Sequence, residues 1–260
     1  MKEFIRKYWK TVLFFVIIGL VGGFFTGLYL LDSYPAEIRL QLIEELDKLG
    51  LERIPVDILC GIVAAYQAAG YGLILGAAGI WLAKKTGLWK DERTITRKPL
   101  AAAMVISIIG GLALILLDLL LFGKCSEPIM QSYTSKPTIP YMLAAVLYGG
   151  VIEEVMVRLF FLSLIAFVLH KIFGRKAQMP SAAILMIANV ITALLFAAGH
   201  LPATALLMGL TPMIIFRCFL LNGGIGLLFG WLYRKYGLRY AMIAHGGCHV
   251  ISKLIWILFV

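Results

Sequence analysis

The chain has 260 residues, 61% of them hydrophobic and 15% charged, with 24 Lys and Arg against 14 Asp and Glu. A soluble domain carries about 25% charge and at most about 50% apolar residues, so a water-soluble globule is excluded and one membrane domain over residues 1–260 is expected. The net charge of +10 does not point to nucleic acid, because the basic residues stand beside apolar runs, as at Lys84, Lys85, Lys90, Arg93, Arg97 and Lys98, where anionic lipid is the natural partner.

An apolar run of about 20 residues spans the hydrocarbon core as a helix, because lipid offers backbone groups no other partner. The first run, about Val12 to Leu31, is too long for a signal peptide and is expected to be the first span. Residues 32–54, with Glu37, Glu44, Glu45 and Asp47, read as an extramembrane amphipathic segment. Further spans are expected at about Val56 to Ala83, Leu100 to Phe122, Tyr141 to His170 and Ala182 to His200. The stretch Ala203 to Tyr233 contains Pro212, Arg217 and the run Asn222, Gly223, Gly224. It reads either as one kinked span or as two short helices, and a last span covers about Tyr240 to Phe259. The expected fold is therefore an all-α polytopic bundle of seven or eight spans, with one broken or re-entrant segment. Lys/Arg bias puts the N-terminus on the cytoplasmic side of the cell membrane and favours seven spans.

Four cysteines, Cys60, Cys125, Cys218 and Cys248, show neither CxxC spacing nor a disulfide framework. Gly19/Gly23 and Gly72/Gly76 have the spacing of close helix contacts.

Polar residues inside the apolar runs carry the functional information, since each is costly when it faces lipid unpaired. Glu153, Glu154 and Arg158 lie in the fourth run. Glu154 and Arg158 share a helix face and can pair, which leaves Glu153, about 100° away, free for chemistry. The trio could equally tie helices together. His200 closes the fifth run, with Phe196 one turn and Asn189 three turns before it on roughly the same face. His245 and His249 lie one turn apart in the last run, flanking Gly246 and Gly247, which let another backbone approach. With a carboxylate the two imidazoles could bind a divalent metal, or they could donate to an oxyanion. Carboxylate and histidine together are the parts needed to activate water. His170, Asp118, Arg217, Gln67 and Asn222 read as interfacial or interhelical partners rather than reacting groups.

In these residues the chain resembles the CAAX-protease and bacteriocin-processing (CPBP, Abi) family of intramembrane endopeptidases, which includes the type II CAAX prenyl endopeptidases. Glu153, Glu154 and Arg158 match its Glu-Glu-x-x-x-Arg motif, Phe196 and His200 its Phe-x-x-x-His motif, and His245 the start of its His-x-x-x-Asn motif. His249 stands where the family most often has Asn. Residues 141–256 form the motif-bearing catalytic core, and the first 140 residues add little likeness.

The resemblance implies a helical membrane bundle that hydrolyses a peptide bond by glutamate-dependent chemistry. Its first Glu and the second-motif His activate water, and the third motif supports the oxyanion. On that reading Glu153, Glu154, Arg158, His200, His245 and His249 are catalytic, with Phe196 and Asn189 supporting them. The expected partners are a peptide or prenylated protein substrate and membrane lipids, or a protein partner if the chain serves in bacteriocin immunity. No cofactor is expected. A metal, if one binds, would be held by Glu153, His200, His245 and His249. The alternatives are a non-catalytic immunity or regulatory membrane protein and a small-solute transporter. One difficulty stands against the site: in a seven-span chain His200 falls near the outer end of its helix and His245 near the inner end of its own, so their depths do not meet.

Overall fold

The computed structural model describes residues 2–51, 53–91, 94–174 and 176–260. Arg93 of the basic stretch, Arg175 of the basic turn at 174–180 and Glu52 of the amphipathic segment lie outside the described residues. The described chain is helical throughout, with no strand. Nine helices follow in order: α1 (Lys2–Ser33), α2 (Ala36–Lys48), α3 (Val56–Lys85), α4 (Arg97–Cys125), α5 (Glu127–Ser132), α6 (residues 139–173), α7 (Ala182–Met208), α8 (Pro212–Tyr236) and α9 (Leu238–Phe259). The amphipathic segment contains α2, none of whose residues is buried.

Six of these helices are long and apolar enough to cross a bilayer: α3, α4, α7, α8, α9 and the stretch Arg6–Ser33 of α1. The chain is thus a multi-pass membrane protein, but six such spans replace the expected seven or eight. Two local features account for the difference. The 203–233 stretch is not two short helices, and most of it is one span, α8, wound as π-helix over Phe219–Gly224. Instead α7 runs through Pro202 to Met208, and α8 is a single helix. The break falls at Gly209 to Thr211. Gly209 takes φ +70°, the Thr211 hydroxyl oxygen accepts from the Ile214 amide at 3.2 Å, and Pro212 occupies the first turn, where a missing N–H costs nothing. The other feature is α6. It is not among the six, it is wound as π-helix over Ala144–Glu153 and Val155–Leu162, and it carries Glu153, Glu154 and Arg158 at its middle. Such a helix needs protein around it, and α6 packs against α1, α3, α7 and α9. Ile152, Val155, Leu159, Leu162 and Ala166 along it are fully buried.

Glycine sets the close contacts. A Cβ on Gly23 would stand 2.5 Å from the Ala64 carbonyl oxygen, and one on Gly19 2.7 Å from that of Ala68. Gly72 faces the backbone of Phe15 in the same way, so both glycine pairs belong to one α1–α3 seam. Gly23→Ala is expected to lower stability by about 1–3 kcal/mol, because the obstacle is backbone and cannot rotate away. Unfolding of the purified variant checks this, and an unchanged midpoint would refute it.

On α9, Gly246 meets Gly150 of α6, where a Cβ would lie 2.9 Å from the Gly246 Cα. The neighbouring Gly247 fits against Ser107 of α4, whose hydroxyl donates to the Ala103 carbonyl at 2.9 Å. Away from this centre, Arg217 of α8 donates to Asp118 of α4 at 2.6 and 2.5 Å, and the Tyr133 hydroxyl donates to the same carboxylate at 2.9 Å. Burial first, and the Asp118 carboxylate second, push the Tyr133 phenol above its ordinary range, so it remains a donor. This network ties α4, α8 and the 126–138 connection together, the interhelical role expected of Asp118 and Arg217. Gln67 is exposed on α3.

Candidate active site

The site grows from the middle of α6. Arg158 is 1% exposed and donates from Nη1 to Glu154 Oε1 at 2.8 Å, the pairing that four-residue spacing predicts. Its Nη2 donates to the Gly226 carbonyl of α8 at 3.0 Å. The guanidinium also lies 4.6 Å from the ring centre of Phe196 and 5.4 Å from that of Phe229. An ion pair, a carbonyl and two aromatic faces thus replace the water this cation gives up.

Glu154 Oε1 accepts a second bond, from His245 Nδ1 at 2.8 Å. An ionised carboxylate can only accept, so Nδ1 carries a proton, and the neutral form of the ring presents a lone pair at Nε2. That Nε2 lies 3.9 Å from Glu153 Oε2. The His245 ring therefore stands between two carboxylates, one at each nitrogen. A straight α-helix would turn consecutive residues about 100° apart. The wider π winding at Glu153 narrows that angle and lets both acids address one imidazole, as π segments at functional sites often do. Phe229 stacks on the other side of the ring, with centroids 4.6 Å apart and planes at 22°.

His249, one turn further along α9, has its ring centre 5.0 Å from that of His245. Bare backbone at Gly149 makes room for it: a Cβ there would be 3.2 Å from His249 Nε2 and 3.9 Å from Glu153 Oε2. A cavity of about 30 Å3 is lined by His245, His249, Phe196, Phe229 and Asn222 among others, which is room for one water. Glu153 borders the imidazoles but does not line that cavity.

His200 sits apart from the acids. Its Nδ1 donates to the Phe196 carbonyl at 2.8 Å, which leaves Nε2 as acceptor. The Phe196 ring meets both imidazoles edge-on, 4.7 Å from His200 and 5.9 Å from His245. No hydrogen bond or ion pair links His200 to Glu153 among the described residues, and the imidazole nearest Glu153 is His245. The depth conflict between His200 and His245 is thus reduced to the width of one phenyl ring. Asn189 lies further away, donating to the Leu227 carbonyl at 3.1 Å and fitting against Gly230, so it joins α7 to α8 rather than the acids. Among the described residues no three His, Cys, Asp or Glu side chains are grouped to hold a metal ion, so Glu153, His200, His245 and His249 do not make a ready metal cage.

Arg158, His200 and His245 thus contact an aromatic core of Phe196 and Phe229, and Glu153, Glu154 and His249 border that core at His245. Residues 135–251 match the family model "Type II CAAX prenyl endopeptidase Rce1-like". This CAAX-protease-like domain takes in α6 to α9 up to Ile251 and every residue of the cluster, while α1 to α4 lie outside the match. No curated protein and no solved structure matches the chain.

Two neighbours of the cluster escape sequence reading. Phe229 is indistinguishable from any core aromatic until its ring is seen on His245. Lys253 is 5% exposed with Nζ 3.4 Å from His249 Nδ1. The four-residue step from His245 to His249 reaches it directly, and that spacing was the available signal.

Proposed function

We propose that this chain is an intramembrane endopeptidase that cleaves a CAAX-type or bacteriocin-related peptide with water activated by glutamate and histidine. The observation that carries the reading is the His245 imidazole held between Glu153 and Glu154. Its Nε2 and Glu153 Oε2 are 3.9 Å apart, too far for a direct bond and close enough for one water to reach both. In the reaction the water oxygen attacks the scissile carbonyl and its proton passes to Glu153. The carbonyl oxygen takes the negative charge facing His249, and the C–N bond then breaks as Glu153 returns the proton to the leaving amine. Glu154, held by Arg158, fixes the His245 tautomer. His200 keeps Nε2 as a second acceptor beside Phe196.

In this reading residues 141–256 are the catalytic core, and residues 32–54 lie outside the membrane. The α6 helix makes a seventh crossing, sheltered from lipid by its neighbours, and the N-terminus is cytoplasmic.

The test is mass spectrometry of prenylated CAAX peptides and leader-type peptides after incubation with the purified protein, with and without chelator. Expected is one defined internal cut that chelator leaves unchanged. A cut that disappears with chelator would move water activation from glutamate to a metal.

A further inference from the structure

Lys253 is a buried cation that the scheme above does not use. It lies in α9, four residues after His249, and is 5% exposed. Its Nζ stands 4.3 Å from the ring centre of Tyr141, which stacks on Tyr29 with centroids 4.3 Å apart. The polar atom it meets is His249 Nδ1, at 3.4 Å.

As an ammonium, Lys253 has three N–H groups and no lone pair, so it can only donate. A proton on His249 Nδ1 would point at those hydrogens. The stable arrangement has the lone pair on Nδ1 and the ring proton on Nε2. His249 Nε2 is the atom that borders bare Gly149 on the side of Glu153 Oε2. The other two imidazoles are held the opposite way, His245 by the Glu154 carboxylate and His200 by the Phe196 carbonyl, each through Nδ1–H. The cluster therefore contains two rings whose Nε2 accepts and one whose Nε2 donates.

We propose that Lys253 is a positioning residue that locks His249 in its Nε2–H tautomer, making His249 the donor to the carbonyl oxygen of the scissile peptide. The donor role rests on the endopeptidase reading, whereas the tautomer does not. Partners of this kind affect activity by about 10- to 100-fold when removed.

The experiment combines nitrogen NMR of histidine-labelled protein with kinetics of wild type, Lys253→Met and Lys253→Arg, the His249 signals being assigned by their loss in His249→Asn. Expected in the wild type is a bare Nδ1 and a protonated Nε2 at His249. Lys253→Met should give mixed tautomers and a kcat lower by about 10- to 100-fold with KM little changed. Lys253→Arg, which keeps a donor, should recover part of that loss. A protonated Nδ1 at His249 in the wild type would overturn the proposal, whether or not any variant folds. The same holds for an unchanged tautomer in Lys253→Met. Should His249 carry Nε2–H while no peptide is cut, the tautomer lock stands and the endopeptidase reading, with the donor role, falls.

Discussion

Glu153→Gln is expected to reduce peptide cleavage by about 10²- to 10⁴-fold, the range for losing a positioned general base. The amide fills the same volume on α6, so packing against His249 and Gly149 is kept. It cannot, however, take a proton from a water held against His245 Nε2. Among the described residues Glu153 is also the acid of the pair without a Lys or Arg ion pair, since Arg158 bonds Glu154. Folding should therefore survive, and substrate should still bind with KM close to that of the wild type. Single-turnover cleavage followed by mass spectrometry, alongside the unfolding midpoint, separates the two effects. Full activity in a folded Glu153→Gln protein would remove that glutamate from the chemistry.

Arg158→Met addresses the neighbouring acid and should act on stability before chemistry. Glu154 is 0% exposed, and its Oε1 accepts from both Arg158 and His245. Its other oxygen, Oε2, has no partner among the described residues. Removing the guanidinium leaves a carboxylate in a low-dielectric core, a loss of about 3–5 kcal/mol for a broken buried pair. It also strips the cation from between Phe196 and Phe229 and frees the Gly226 carbonyl. The double variant Glu154→Gln/Arg158→Met should be more stable than Arg158→Met alone, because no stranded charge remains. Equal stability of Arg158→Met and the wild type in detergent unfolding would show that the pair is not what holds α6 to α8.

Reading the fold from sequence fails at definite places. The helix expected to end near His200 continues through Pro202 and ends at Gly209, whose φ of +70° leaves the helical path. Six helices rather than seven are long and apolar enough to cross a bilayer, because α6, which is wound partly as π-helix and carries Glu153, Glu154 and Arg158 at its middle, is not among them. The same winding explains why an α-helical wheel separates Glu153 from Glu154 while the structure brings both to His245. The depth argument against His200 and His245 failed because it measured each helix from its own end and ignored tilt and offset between neighbours.

Sequence alone determined the membrane character, the helical class and the i,i+4 pairing of Glu154 with Arg158, since these depend on composition and on contacts within one helix. It also marked which charged and imidazole side chains lie in apolar runs. The tertiary structure decided which of them meet: His245 with both acids, Phe196 between two imidazoles, Lys253 with the ring of His249. Contacts between helices follow from their relative rotation and depth. Here those are set by backbone approach at Gly150 and Gly246 and by Gly247 against Ser107, and no local pattern encodes such offsets.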